Sequence, residues 1–140
     1  MGKKLSFFVK YWLPFFVWAA IIFKLSSKSI LTISQSYWKD FAFKKSAHVF
    51  FYGVYAILLF RALKVSRIPK LKAAWWSVIL TFVYGVSDEF HQSFVGGRGP
   101  TLRDVLIDTA AASLVILTIY KYVNKLPKKV VVFLKELDLV

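Results

Sequence analysis

Four apolar segments, each flanked by lysine, arginine, tryptophan or tyrosine, constrain this chain more than any other feature. They cover residues 5–23 (with Lys10 inside), 46–60, 73–87 and 105–120 (with Asp108 inside). Each is apolar around the whole helix rather than along one stripe, so it needs an apolar surround on every side. The uncharged stretches are shorter than the roughly 20 residues that cross a bilayer. Their flanks make up the difference, because Tyr11, Trp12, Arg61, Lys64, Trp75, Trp76, Tyr120 and Lys121 suit the interface and can snorkel. The pattern predicts an all-α fold with one domain over residues 1–140. This is a polytopic transmembrane bundle of four helices, spanning about 5–25, 46–63, 73–90 and 103–121. In the tail, 122–140, Val130, Phe133, Leu134 and Leu137 share one helical face, which predicts a short interfacial helix.

Charge distribution narrows the function. The net charge is +13, and 58% of residues are hydrophobic. A soluble protein so basic would suggest nucleic acid, but here the cations bracket apolar segments and form no nucleic-acid face. With the N-terminus inside, 13 of the 20 lysines and arginines fall on the inner side, against 7 (Lys24, Lys28, Lys39, Lys44, Lys45, Arg98, Arg103) outside. That bias predicts a bacterial cell-membrane protein with both termini and the tail cytoplasmic. Asp40, Asp88, Glu89, Asp104 and Asp108 then collect on the outer side. The start, Met1-Gly2-Lys3-Lys4, fits a myristoylation pattern and also a basic flank. No small-x-small site follows the first run, so it reads as an uncleaved helix. With no cysteine, disulfides, thiolate metal sites and a cysteine nucleophile are excluded.

The chemistry concentrates where helices two, three and four turn outward. Helix three ends in Tyr84-Gly85-Val86-Ser87-Asp88-Glu89-Phe90-His91-Gln92. Two acids at a helix C-terminus oppose the macrodipole, and near hydrocarbon they also cost desolvation. Helix two opens with Lys45, His48 and Tyr52 on one face, its cations equally opposed to the dipole. The anomalies cancel if Lys45 or His48 pairs with Asp88 or Glu89. The glycine-rich loop before Pro100 holds Arg98 near the membrane surface. Thr101 and Asp104 read as a capping-box-like start to helix four, and Asp108 lies one turn deeper, within reach of Arg98 or Arg103. His91 reads as a loop or interface residue.

Three blocks carry a resemblance to the VanZ-like membrane proteins. They are Ser26-Ser27; Lys45-x-x-His48-x-x-x-Tyr52; and Tyr84-Gly85-x-x-Asp88-Glu89-x-x-Gln92, followed by Arg98, Asp104 and Asp108-Thr109. The resemblance covers roughly residues 10–120. Asp108 stands where the family often has Asn, and Ala110-Ala111-Ala112 replaces a Gly-containing run, though small residues still permit close packing. The family is named for a protein associated with teicoplanin resistance. The resemblance therefore implies a cell-envelope protein that influences susceptibility to lipoglycopeptides. Its partners are membrane lipids, a lipid-linked wall precursor or the glycopeptide itself, and the resemblance leaves any cofactor unknown.

Three uses of the constellation remain open at this level. In an enzyme, Asp88 or Glu89 is the base and His48 the proton shuttle, while Lys45, Tyr52, Gln92, Arg98, Asp104, Asp108, Ser26 and Ser27 bind substrate. No activated serine is indicated. In a lipid- or partner-binding module, the same charges form a structural lock. A third use is a cation site built from Asp88, Glu89, Asp104, Asp108, His48 and His91. A lock needs opposed charges in contact and no cavity, whereas a binder or enzyme needs room for a ligand.

Overall fold

A computed structural model describes residues 2–28 and 37–140, apart from the side chains of Tyr37 and Asp40. Asp40, expected among the outer acids, thus lies outside the described side chains. Among the described residues the fold is all helical. α1 is Gly2–Ser26, α2 Tyr37–Val65, α3 Lys70–Gln92 and α4 Leu102–Lys121; a 3₁₀ turn at Val123–Lys125 leads to α5, Lys128–Glu136. α2 begins at Tyr37 rather than near residue 46, because the polar stretch before Ser46 is helical without being apolar.

α4 packs most extensively, against both α2 and α3, while α1 lies mainly on α2. Tyr52, Tyr55, Leu59 and Phe60 of α2 form the middle of the core with Ile116 and Ile119 of α4. Close approach depends on small residues: Ala56, Ala62, Ala73 and Ala112 are fully buried. The short side chains of Ala111 and Ala112 thus serve where a Gly-containing run was expected.

The outward faces are apolar. Phe8, Phe16 and Phe23 of α1, Trp75, Trp76 and Val83 of α3, and Leu106, Leu114 and Leu117 of α4 are exposed. α1 buries only Phe15, Ile22 and Ser26. Two helices, Gly2–Ser26 and Phe41–Val65, are long and apolar enough to cross a membrane. α3 carries Asp88 and Glu89, and α4 carries Arg103, Asp104 and Asp108, which lowers the hydropathy of both.

The basic end of the bundle is covered by the end of α5 and the residues after it. Leu134 and Leu137 pack on the core and Leu139 is buried, while Val130, Val132 and Phe133 stay exposed. The tail is therefore docked on one face and free on the other, rather than lying detached. Its helix ends with Asp138 at φ 57°, and the Leu139 N–H donates to the Leu134 carbonyl at 3.0 Å. α2 ends the same way, with Arg67 at φ 66° and the Ile68 N–H on the Leu63 carbonyl at 3.3 Å. Both are Schellman turns with a non-glycine residue in the left-handed position.

Asp138 holds this end together. Its Oδ2 accepts from the Tyr11 hydroxyl at 3.1 Å and pairs with Lys10 at 3.3 Å and Arg61 at 3.7 Å. Desolvation, the largest single contribution, acts to raise the carboxyl pKa. The hydrogen bonds from Lys10 and Tyr11, with the charges of Lys10 and Arg61, outweigh it and hold the pKa below the usual aspartate value. A depressed folded pKa stabilises the docked tail above the unfolded carboxyl pKa, and that contribution is lost as pH falls through the folded one. We expect protection of the Leu139 amide against hydrogen exchange to fall on acidification in the native chain, and to be low and pH-independent in Asp138→Asn. Protection unchanged down to pH values below both pKas would show that apolar packing alone docks the tail.

Candidate functional site

The C-termini of α1 and α3 and the N-terminal parts of α2 and α4 meet at the opposite, polar end. α2 and α4 run in the same direction, so residues one turn further along each helix meet at successive levels. Lys45 donates to Asp104 Oδ1. One turn deeper, His48 Nδ1 lies 3.0 Å from Asp108 Oδ1 and 3.3 Å from Oδ2. His48 Nε2 faces Asp104 Oδ2 at 3.9 Å. Lys45 and His48 are thus answered by the acids of α4, not by Asp88 or Glu89. Asp108, expected near Arg98 or Arg103, pairs with His48 instead. Both pairs are largely withdrawn from solvent, with side-chain exposures of 18% and 14% for Lys45 and Asp104 and of 19% and 2% for His48 and Asp108.

Asp88 of α3 anchors a second network. Its Oδ2 accepts three hydrogen bonds, from Ser26 Oγ at 2.8 Å, Tyr52 OH at 3.0 Å and Gln92 Nε2 at 2.8 Å. All four residues are buried. Its other oxygen, Oδ1, is buried without a hydrogen-bond partner. Gln92 Oε1 in turn accepts from Arg98 at 2.9 Å. Arg98 also donates to the backbone carbonyls of Lys28 at 2.8 Å and Leu25 at 3.3 Å, so it caps the end of α1. Ser26 therefore belongs to the Asp88 network. Ser27 is exposed and meets His91 at 3.0 Å, and the His91 ring packs on Phe23.

Glu89 has a different task. Thr101 is the N-cap of α4, its hydroxyl accepting from the Asp104 N–H at 3.3 Å. In a capping box the third residue of the helix returns to the cap's own N–H. Here Asp104 is turned toward Lys45, and Glu89 Oε2 takes the Thr101 N–H at 2.6 Å from the neighbouring helix. The capping box is completed in trans, which ties α3 to α4.

A cavity of about 620 Å³ opens beside these networks. Its polar wall includes Lys45, His48, Asp88, Gln92, Arg98 and Asp104, with Ser26 and Tyr52 adjoining. Its apolar wall includes Ile22, Leu25, Phe41, Phe43 and Phe51. Lys28, Lys44 and Arg103 also line it. Ser27, Glu89 and Asp108 are not among its walls; Asp108 stands behind His48, and Glu89 behind the α4 cap. The apolar wall went unmarked in the sequence because phenylalanines are common throughout the chain. Lys28 was counted there only for orientation, and Arg103 for orientation and as a partner for Asp108. Among the described residues no group of three or more His, Asp or Glu side chains is arranged to hold a metal ion. The expected six-residue cation site is divided, since Lys45 occupies Asp104 and His48 occupies Asp108.

A family model described as VanZ/LLP1 matches residues 3–124. No curated protein and no solved structure matches the chain.

Proposed function

The chain belongs to the VanZ/LLP1 family, and from that membership we propose that it is a four-span envelope membrane protein whose outward cavity binds an amphiphile. In this reading α1 to α4 all cross the membrane, both termini and α5 are cytoplasmic, and the polar end faces outward. The amphiphile is a membrane lipid, a lipid-linked wall precursor or a lipoglycopeptide, and its capture changes susceptibility to teicoplanin.

The observation that carries the reading is the cavity itself. A lock of opposed charges closes on itself, whereas here about 620 Å³ stays open between a charged wall and an apolar one. Such a combination accepts a headgroup and the first part of a hydrocarbon chain. The apolar exteriors of all four long helices and the basic opposite end support the membrane placement. If the site also moves protons, the groups in reach of a ligand are His48 and Asp88, with Asp108 orienting the imidazole.

Topology is tested by single-cysteine labelling, since the chain has no cysteine of its own. Gly97→Cys should react with a membrane-impermeant maleimide on intact cells, and Lys125→Cys only after lysis. The reverse pattern would invert the orientation and turn the cavity to the cytoplasm.

Function is tested by expressing the chain in a teicoplanin-sensitive bacterium beside Ala47→Trp, which fills the cavity from its α2 wall. The native chain should shift the growth-inhibiting concentration, and a folded Ala47→Trp should not. An equal shift from both would detach the phenotype from the cavity.

A further inference from the structure

The charges around the cavity are not distributed evenly. Its buried part is acidic. Asp88 is only 4% exposed, and every hydrogen bond it receives comes from a neutral donor: Ser26, Tyr52 and Gln92. All three converge on Oδ2, and Oδ1 is left buried and unpartnered. The other carboxylate on the cavity wall, Asp104, already has Lys45. The exposed part is basic, with Lys28 and Arg103 on its lining. A buried acceptor without a donor is costly, and of the two such carboxylate oxygens among the described residues, Asp88 Oδ1 and Glu89 Oε1, only the first belongs to a residue that lines the cavity.

The complement of an acidic interior and a basic mouth is a zwitterion with its cation innermost. Resting on the amphiphile reading above, we propose that the cavity recognises a primary-ammonium phosphate ester, the headgroup chemistry of an aminophospholipid. The ammonium pairs with the Asp88 carboxylate on the cavity wall, the phosphate lies toward Lys28 and Arg103, and the acyl chain follows Ile22, Leu25 and Phe51. A trimethylated ammonium has the same charge but no N–H to donate. A phosphoglycerol headgroup has a hydroxyl donor but no cation. Neither satisfies Asp88 as a primary ammonium does.

The test uses the full chain in detergent and a series of short-chain lipids: phosphatidylethanolamine, its mono- and dimethyl derivatives, phosphatidylcholine and phosphatidylglycerol. Binding should fall along the methylation series, by about tenfold between the ethanolamine and choline lipids, the size expected for one charge-assisted hydrogen bond. Asp88→Asn, the same shape without the charge, should shrink that gap to about twofold or less. The lipid series on the unmodified chain stands by itself if the variant fails to fold. Water-soluble phosphoethanolamine as competitor separates two sources of the same chemistry. Displacement of the lipid supports recognition of the headgroup alone. No displacement, with the graded series intact, supports recognition of the headgroup only when a lipid presents it.

Ethanolamine and choline lipids binding the unmodified chain equally would overturn the proposal. If Ala47→Trp abolishes that equal binding, the cavity still takes amphiphiles and only the ammonium preference is lost. If no lipid binds at all, the amphiphile reading falls with it.

Discussion

Lys45→Met should lower the unfolding free energy by about 3–5 kcal/mol, the cost of stranding one member of a buried ion pair. Lys45 and Asp104 bridge α2 and α4, with side-chain exposures of 18% and 14%. Methionine keeps the length of the lysine stem and removes only the ammonium. Asp104 then faces His48 alone, with Asp108 one turn away. The converse experiment is more informative. Lys45→Met combined with Asp104→Leu replaces the whole pair by apolar groups of similar size and should recover most of the loss. Reversible unfolding in mixed micelles measures both. A single-variant loss below about 1 kcal/mol is the behaviour of a solvated surface pair and would contradict the burial argument.

Asp88→Ala should be nearly as damaging, and Asp88→Asn should not. Alanine leaves the buried donors of Ser26, Tyr52 and Gln92 without their shared acceptor. A stranded buried donor costs about 1–3 kcal/mol. Gln92 can turn, so we expect a loss of about 3 kcal/mol or more rather than the full sum. Asparagine retains a carbonyl oxygen for all three donors and should stay within about 1 kcal/mol of the native chain. Asn at Asp88 would then separate two properties of the carboxylate, keeping its packing and hydrogen bonds while removing its charge from the cavity wall. If Asn is as destabilising as Ala, the negative charge itself holds the fold.

The number of long helices and their approximate positions were legible because apolar runs and their basic flanks are local properties. The convergence of the polar ends was legible too, since opposed dipoles and charges at Lys45, His48, Asp88 and Glu89 demanded partners. The partners themselves were misassigned. Spacing along one helix fixes which residues share a face, but not how that face is rotated toward a neighbour. One clue was present. Lys45 and His48 are three apart, Asp104 and Asp108 four apart, and two helices running the same way offer those steps at matching heights. The trans cap by Glu89 left no such signal, because it depends on a backbone N–H that every residue but proline carries. Arg98 was read as a membrane-surface group, a substrate-binding cation and a partner for Asp108; it lines the cavity, but two of its hydrogen bonds go to the end of α1, a set of carbonyls that no side-chain pattern records.

The link between Tyr11 and Asp138 spans 127 residues of chain. During synthesis α1 emerges first, carrying Lys10 and Tyr11. Arg61 follows much later, and their common carboxylate comes only after α4 is complete. Pairing at the polar end requires nothing beyond Asp108, so that half can assemble while the basic end is still open. The cavity end thus depends on no residue of the tail, whereas the basic end depends on its last residues. A chain ending before Asp138 should therefore keep its cavity with its base unsealed, a state that crosslinks between positions 45 and 104 would capture and that has no partner for Lys10.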